Sequence, residues 1–492
     1  MILAIDQGTT GSTCLLVDGE AGVLGRATRE IEQHFPQPGW VEHDLRDLWE
    51  VTRAVALEAL ADAGAGPGDV RAIGITNQRE TACAWDPQTG EPLHRAIVWQ
   101  DRRTAGRCDD LRAGGLAPIV RERTGLVLDP YFSATKFEWL LTHVDGLRDR
   151  VAQGRAVLGT VDSWLAWNLT GEHVTDPSNA SRTMLYDLHE GTWSVELCDR
   201  LGIPIRGLAV VRPSIGESGR VQPGALPGHE GVPVTAIAGD QQASLYGQAC
   251  LDPGMGKATF GTGVFALVNT GDAVPPVPKG LLATVAWSIG QRRTYALEAS
   301  IFAGGAAVQW LRDGLGIISE AGETDALARS LSGNDGVYLV PAFAGLGSPH
   351  WDPYARGTIV GLTRGTGPAH LARATLEAIA YQTVDAVRAI ETASGTPLRV
   401  LKADGGACAN RWLMQFQADV LGVPVVVPEV LDTTALGVAL MAGVGAGMWT
   451  QQQVGELWHE RERFEPAMAA DERAALLAGW GRALERSRSW AE

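Results

Sequence analysis

The six cysteines of this 492-residue chain (Cys14, Cys83, Cys108, Cys198, Cys250 and Cys408) form no C-x-x-C pair, and no histidines stand at metal-site spacing. That argues against a disulfide scaffold or a zinc centre and predicts reduced thiols. A Lys/Arg-rich run is also missing: 41 Lys and Arg oppose 57 Asp and Glu, a formal charge of −16. Such a field repels nucleic acid and anionic lipid, so neither is an expected partner. The least polar stretch, Gly437–Trp449, is rich in glycine and falls short of the roughly 20 apolar residues that a bilayer span needs. The opening MILAIDQGTT carries no basic segment, so no secretory signal is expected and the location is read as cytoplasmic. Finally, there is no G-x-x-x-x-G-K-[ST] and no G-x-G-x-x-G between a strand and a helix, which disfavours P-loop and dinucleotide-binding enzymes.

What is present is an ordinary globular composition, 45% hydrophobic and 20% charged, with length for two large α/β domains or three smaller ones. Ile2–Ile5, Ser12–Val17 and Val23–Ala27 read as a β-meander. Asp44 then caps a helix with Leu45, Leu48, Trp49, Val55, Ala56 and Ala59 inward, followed by a strand over Val70–Thr76. Ser133–His143 and Val161–Leu169 read as helices and Val234–Ala238 as a buried strand. A second passage repeats the opening: Lys257–Phe260 and Val264–Val268 flank a Gly/Thr turn, and Thr284–Trp287 and Thr294–Leu297 extend the sheet. After it come a helix over Ile301–Arg312, a long helix from Pro368, a strand at Val400–Ala403, and helices over Asn410–Leu421 and Thr434–Gly445. Two α/β domains across a cleft are expected, residues 1–248 and 249–492.

Five segments bear chemistry. In AIDQGTTGST, Asp6 ends a strand and Thr9, Thr10 and Gly11 form the turn. Successive N–H groups and two hydroxyls suit phosphate oxygens, and a strand-end carboxylate suits Mg²⁺; the alternative is a hairpin satisfying its own turn. ITNQRET places Arg79 and Glu80 at a strand end, a donor and an acceptor for neighbouring hydroxyls of a polyol, or a surface ion pair. In AGDQQ, Asp240 is either a general base for a substrate hydroxyl or a helix N-cap. In AGGAAVQW and DGGACANRW, Gly405 and Gly406 let a flat adenosine lie against backbone, with Asn410 and Gln309 available to bond it, while helix packing explains Gly304 and Gly305 equally.

Taken together these segments resemble the FGGY carbohydrate kinases, over Ile2 to about Trp449. Tyr131–His143 (YFSATKFEWLLTH) and Gly357–Glu377 (GTIVGLTRGTGPAHLARATLE) look like the two family signatures. Asn77–Thr81, Ile97–Thr104, Asp129–Ser133 and Ala238–Gln242 are similar to the glycerol-specific versions, a xylulokinase-like sugar kinase being the alternative. The resemblance implies two RNase H-like (actin/hexokinase-type) domains closing over ATP and Mg²⁺ and transferring the γ-phosphate to glycerol. By motif match, Thr9, Thr10 and Gly11 touch phosphates, and Asp6 lies on the metal side. Arg79, Glu80, Tyr131, Asp240 and Gln241 hold glycerol against a wall of Trp99 and Phe265. Thr262, Gly305, Gln309, Gly406 and Asn410 bind the nucleotide, Asp240 is the base, and a homo-oligomer is expected. Thr13 stands where many members carry Arg, so a substitute Lys or Arg is predicted. His229 is read as an exposed loop histidine.

Overall fold

The first strand explains the layering: Leu3 and Ile5 enter one apolar cluster and Ile2 and Ala4 another, so the strand is buried on both faces and must lie in a sheet covered twice. The computed structural model describes residues 1–491. Its main sheet has thirteen strands: β1 (Ile2–Gln7), β2 (Gly11–Val17), β3 (Val23–Glu30), β4 (Ala72–Asn77), β5 (Ile215–Arg220), β6 (Pro233–Gly239), β7 (Gly256–Phe260), β8 (Val264–Gly271), β9 (Leu282–Ile289), β10 (Arg292–Ile301), β11 (Leu401–Asp404), β12 (Val425–Pro428) and β13 (Glu460–Phe464). They run in the order β13-β12-β11-β7-β8-β10-β9-β5-β6-β4-β1-β2-β3.

The order contains the same unit twice. In β3-β2-β1-β4-β6 and again in β10-β8-β7-β11-β12, an antiparallel meander of three is followed by two strands parallel to its first. Six helices position the site: α1 (Leu45–Asp62), α2 (Asp240–Gly247), α3 (Gly305–Asp313), α4 (Pro368–Ser394), α5 (Arg411–Leu421) and α6 (Thr433–Gly445). Asp44 caps α1 by accepting from the Arg46 N–H, and Leu45, Leu48, Val55, Ala56 and Ala59 are buried, Trp49 only partly.

The two repeats exchange helices. α2 follows β6 yet packs against β7, β8 and β9, whereas α6 follows β12 and packs on β1, β4 and β6. The second unit divides its faces by chemistry: Ala258, Phe260, Val264, Ala266, Leu297, Ala299 and Ile301 join the core beside α4. On the other face cross-strand register aligns Thr259, Phe265 and Ser300, and likewise Lys257, Leu267 and Glu298. That face turns towards α2.

Three expectations are corrected. Ile301 ends β10, and the helix expected from it begins at Gly305, because Ala299 and Ile301 alternate into the core with strand period. His229 is buried at 5% exposure. Asp240 is the first residue of α2 and Gly239 its N-cap. All six cysteines are buried and free, and among the described residues no helix is long and apolar enough to cross a membrane.

Candidate active site

Arg79 leaves the end of β4 and is met by a carboxylate from the other repeat. Its Nη1 donates to Glu298 Oε2 at 2.6 Å and its Nη2 to Oε1 at 3.3 Å, while Nη1 also reaches Gln242 Oε1 at 3.2 Å. Arg182 completes a quartet, donating from Nε to Glu80 Oε1 at 2.6 Å and from Nη2 to Glu298 Oε1 at 2.9 Å. All four side chains are at most 3% exposed. Asp240 is different: its side chain is 31% exposed, with Oδ1 at 3.1 Å from Arg79 Nε. The structure thus brings Arg79, Glu80 and Asp240 together, with two charges balancing two in the quartet and Asp240 as the carboxylate that remains partly open to solvent.

The two glutamates are held differently. Burial opposes ionisation of Glu298, yet Arg182 and Arg79 pull its pKa down to about 2. Burial raises the pKa of Glu80 despite Arg182 and Arg79. Glu80 also sits at φ +63°, a left-handed conformation that is rare for a residue with a side chain and is stabilised here by Ser133 Oγ donating to its carbonyl at 2.9 Å. Strain of this kind collects at ligand-binding positions.

Aromatic side chains stand beside the quartet. Trp99 and Tyr131 meet edge to face, 5.5 Å between centroids at 81°, and Trp99 Nε1 donates to Thr9 Oγ1 at 2.8 Å, linking this wall to the first turn. Lys136 fixes the Tyr131 segment by donating to the carbonyls of Pro130 and Tyr131, both at 2.7 Å, and of Phe132 at 3.2 Å; burial lowers its pKa to about 8. Gln241 accepts from the buried Lys257 ammonium through Oε1, which leaves its amide N–H groups for a ligand. Phe265 is half-buried on the sheet face that carries Glu298.

At the first turn the Gly8 N–H donates to Gly11 O at 2.8 Å, and a Cβ on Gly11 would lie 2.4 Å from Arg29 O, so only glycine lets β2 follow β3 there. Thr9 is half-buried and Thr10 exposed. Thr13 lies opposite Asp6 in register, its hydroxyl bonded to that of Thr28 at 3.0 Å. Asp6 is pushed up to about 8 by burial, then by Asp240 and Asp432. Asp6 is thus a strand-end carboxylate in a field made negative by Asp240 and Asp432. Arg26, next to the Thr28 row on β3, pairs with Asp432 at 3.0 Å.

The second turn is tied down. Gly261 N–H donates to Gly263 O at 3.0 Å, Gly305 N–H to Gly261 O at 2.8 Å, and Gly304 and Ala306 N–H to Thr262 O at 2.9 and 3.0 Å. A Cβ on Gly305 would come within 2.9 Å of Gly261 O. Thr262, Gln309 and Gly406 are exposed. Asn410 is less available than its sequence context suggests: its Oδ1 caps α5 by accepting from the Leu413 N–H at 2.9 Å, and its Nδ2 donates to Thr324 Oγ1 at 3.1 Å. Asp404 ties β11 to both exchanged helices, accepting at Oδ2 from Ser244 Oγ at 3.0 Å, Gln248 Nε2 at 3.0 Å and Thr433 Oγ1 at 2.7 Å.

Sequence reasoning missed Glu298, Arg182, Gln242, Lys257 and Lys136. A signal existed for two of them: Glu298 and Lys257 are lone charges inside apolar strands, a placement that demands a buried partner. Nothing local marks Arg182.

Known proteins share this architecture. A glycerol kinase of Trichlorobacter lovleyi is 54% identical over 494 residues, covering 100% of this chain and 99% of that protein. The crystal structure of the Plasmodium falciparum glycerol kinase with ADP superposes with a TM-score of 0.94 at 33% identity, over 99% and 98% of the two chains. A Lactobacillus acidophilus gluconate kinase, at 21% identity and a TM-score of 0.88 over 99% and 97%, shares the fold. The duplicated unit is thus that of the actin/hexokinase-type ATPases. Residues 1–247 match the N-terminal domain and residues 256–446 the C-terminal domain of one family, and with these matches spanning most of its length the chain belongs to the FGGY family of carbohydrate kinases.

Proposed function

We propose that this chain is an ATP-dependent glycerol kinase, transferring the γ-phosphoryl group of ATP to the sn-3 hydroxyl of glycerol to give sn-glycerol 3-phosphate and ADP. The supporting observation is the convergence of Arg79, Glu80 and Asp240: Arg79 Nε lies 3.1 Å from Asp240 Oδ1 and 3.8 Å from Glu80 Oε1. A small polyol needs donors and acceptors together, and here they share one recess beside Trp99 and Tyr131. Full-length relatives that are glycerol kinases support the same reading.

In this reading residues 1–248 bind glycerol and the phosphates, and residues 249–492 bind the nucleotide. Arg79 and Gln241 donate to glycerol hydroxyls, Glu80 accepts from one, and Trp99, Tyr131 and Phe265 cover its carbons. Asp240 orients the attacking hydroxyl and takes its proton as the new P–O bond forms. The N–H groups and hydroxyls of Thr9, Thr10 and Gly11 hold phosphate oxygens. Asp6 would hold Mg²⁺, directly or through water, and the ion when bound supplies charge neutralisation. Phosphoryl transfer passes through a loose transition state, so alignment and charge neutralisation outweigh proton removal. Thr262, Gly305, Gln309, Gly406 and Asn410 face the nucleotide, Gly305 by setting the turn and Asn410 with its remaining N–H. The enzyme is placed in the cytoplasm as a homo-oligomer, which sedimentation would check.

A coupled ADP-release assay across glycerol, dihydroxyacetone, xylulose and gluconate tests the reading. Glycerol is expected to give the highest kcat/KM. Turnover of xylulose or gluconate with glycerol inert would assign the chain to another branch of the family.

A further inference from the structure

We propose that Glu298 is the positioning residue of the polyol site: reaching from β10 of the second repeat, it fixes the plane and direction of the Arg79 guanidinium beside Asp240, where a polyol hydroxyl meets it. The inference rests on the function proposed above.

Glu298 is fully buried, so it acts through another group. Its strand neighbours Leu297, Ala299 and Ile301 are core residues, and a lone carboxylate there is costly unless paired. Every arginine it pairs with comes from the first repeat: Arg79 through Nη1 and Nη2, and Arg182 through Nη2. A guanidinium gripped at both terminal nitrogens is fixed in plane and direction, which a single bond does not achieve. With its terminal nitrogens engaged, Arg79 presents Nε towards Asp240 and Glu80.

Charge balance gives the second argument. Arg79 and Arg182 are matched by Glu80 and Glu298, so Asp240 is not required as a counter-ion. With Glu298 neutral, one positive charge in excess remains buried, and the nearest carboxylate to Arg79 is Asp240 Oδ1, already at 3.1 Å. With its terminal nitrogens released, Arg79 is free to turn more of its guanidinium onto Asp240, and this existing pair then competes with the polyol for a donor and an acceptor together. Because Glu298 belongs to the second repeat and its partners to the first, the site is assembled only when the two repeats are in register.

Steady-state kinetics on Glu298→Gln, Glu298→Asp, Arg79→Gln and the double variant Arg79→Gln/Glu298→Gln test this, with the ATP dissociation constant measured without polyol and a thermal melt for each. Glu298→Gln is expected to raise the polyol KM about 10- to 100-fold, the scale of a lost charge-assisted contact, with the ATP constant within about threefold. Glu298→Asp keeps the charge and shortens the reach, so the polyol KM rises about tenfold with an unchanged melt, and this arm stands even where the Gln variant fails to fold. The double variant restores charge balance and is expected to melt above Glu298→Gln while having the polyol KM of Arg79→Gln alone, since Glu298 acts through Arg79. Additive effects in the double variant, a wild-type polyol KM in Glu298→Asp, or a parallel loss of ATP and polyol affinity would each overturn the proposal. The constants are read with whichever polyol the wild type phosphorylates. A wild type that turns over another polyol but not glycerol revises the substrate and leaves the role of Glu298 to the same comparison; one inert to all of them removes both.

Discussion

The regions proposed to meet the polyol and the phosphates are built from different materials. Around Arg79, buried side chains from both repeats hold one another in a charge-balanced quartet. Around Gly8–Gly11 and Gly261–Gly263, backbone groups close tight turns near the surface. The difference follows from the ligands: a triphosphate offers many equivalent oxygens to N–H groups, whereas a polyol is distinguished only by where its few hydroxyls find both donors and acceptors. Specificity therefore concentrates in the part built of side chains, and nucleotide handling in the part built of backbone.

Asp240 stands between the two regions, so removing its charge has the largest expected effect. Asp240→Asn keeps the shape and the contact with Arg79 but cannot take a proton, and kcat should fall roughly 10²- to 10⁴-fold with the glycerol KM changed only modestly. Near-normal turnover would remove Asp240 from the chemistry. Glu80→Gln comes next. It weakens a charge-assisted bond to Arg182 and an acceptor for glycerol, so the glycerol KM should rise about 10- to 100-fold while the ATP KM stays put. Equal movement of both constants would break the division between the regions.

Much of this layout is legible in the sequence, for physical reasons that differ by region. Short apolar runs within Ile2–Gln7 and Val264–Gly271, each beside a Gly/Thr turn, and the cap at Asp44 mark the repeated sheet locally. Arg79, Glu80 and Asp240 are legible because each ends or follows a strand. Arg182 is not, because its pairing with Glu298 spans 116 residues and nothing local marks it; Glu298 shows locally only that it needs a partner, not which one. The helix expected at Ile301 fails for the same reason: whether Ala299 and Ile301 belong to a strand or a helix depends on β8 beside them. Asn410 reads two ways in sequence, since a helix cap and a nucleotide ligand call for the same amide, and the structure shows its Oδ1 in the cap of α5.

The backbone-built turns should respond to a single methyl group. Gly11→Ala places a Cβ 2.4 Å from Arg29 O, and Gly305→Ala places one 2.9 Å from Gly261 O. Each must displace its turn, so the ATP KM should rise about tenfold and stability fall by about 1–3 kcal/mol, with the glycerol KM unaffected. Urea unfolding alongside kinetics separates the two effects, and Gly11→Ala should be the more severe because its closer clash is with the backbone of β3.

The smallest effect is expected at Thr13, where a gain is predicted. Its register partner is Asp6, and its hydroxyl is spent on Thr28, so no cation stands on that row of the sheet. Of the two arginines on β3, Arg26 is half-exposed and occupied by Asp432, and Arg29 pairs with Glu58. Thr13→Arg puts a guanidinium beside Asp6 and the first turn, where it adds attraction for phosphate in a region otherwise dominated by carboxylates. The site is partly open to solvent, so screening holds the gain to about 0.5–1 kcal/mol, a two- to fivefold lower ATP KM with the glycerol KM unchanged. The improvement should shrink as salt is raised from about 50 to about 500 mM, as expected for screened charge. A salt-independent change would mean that the introduced guanidinium acts by reshaping the turn, and no change at all would mean that backbone groups and the cation already satisfy the phosphates there.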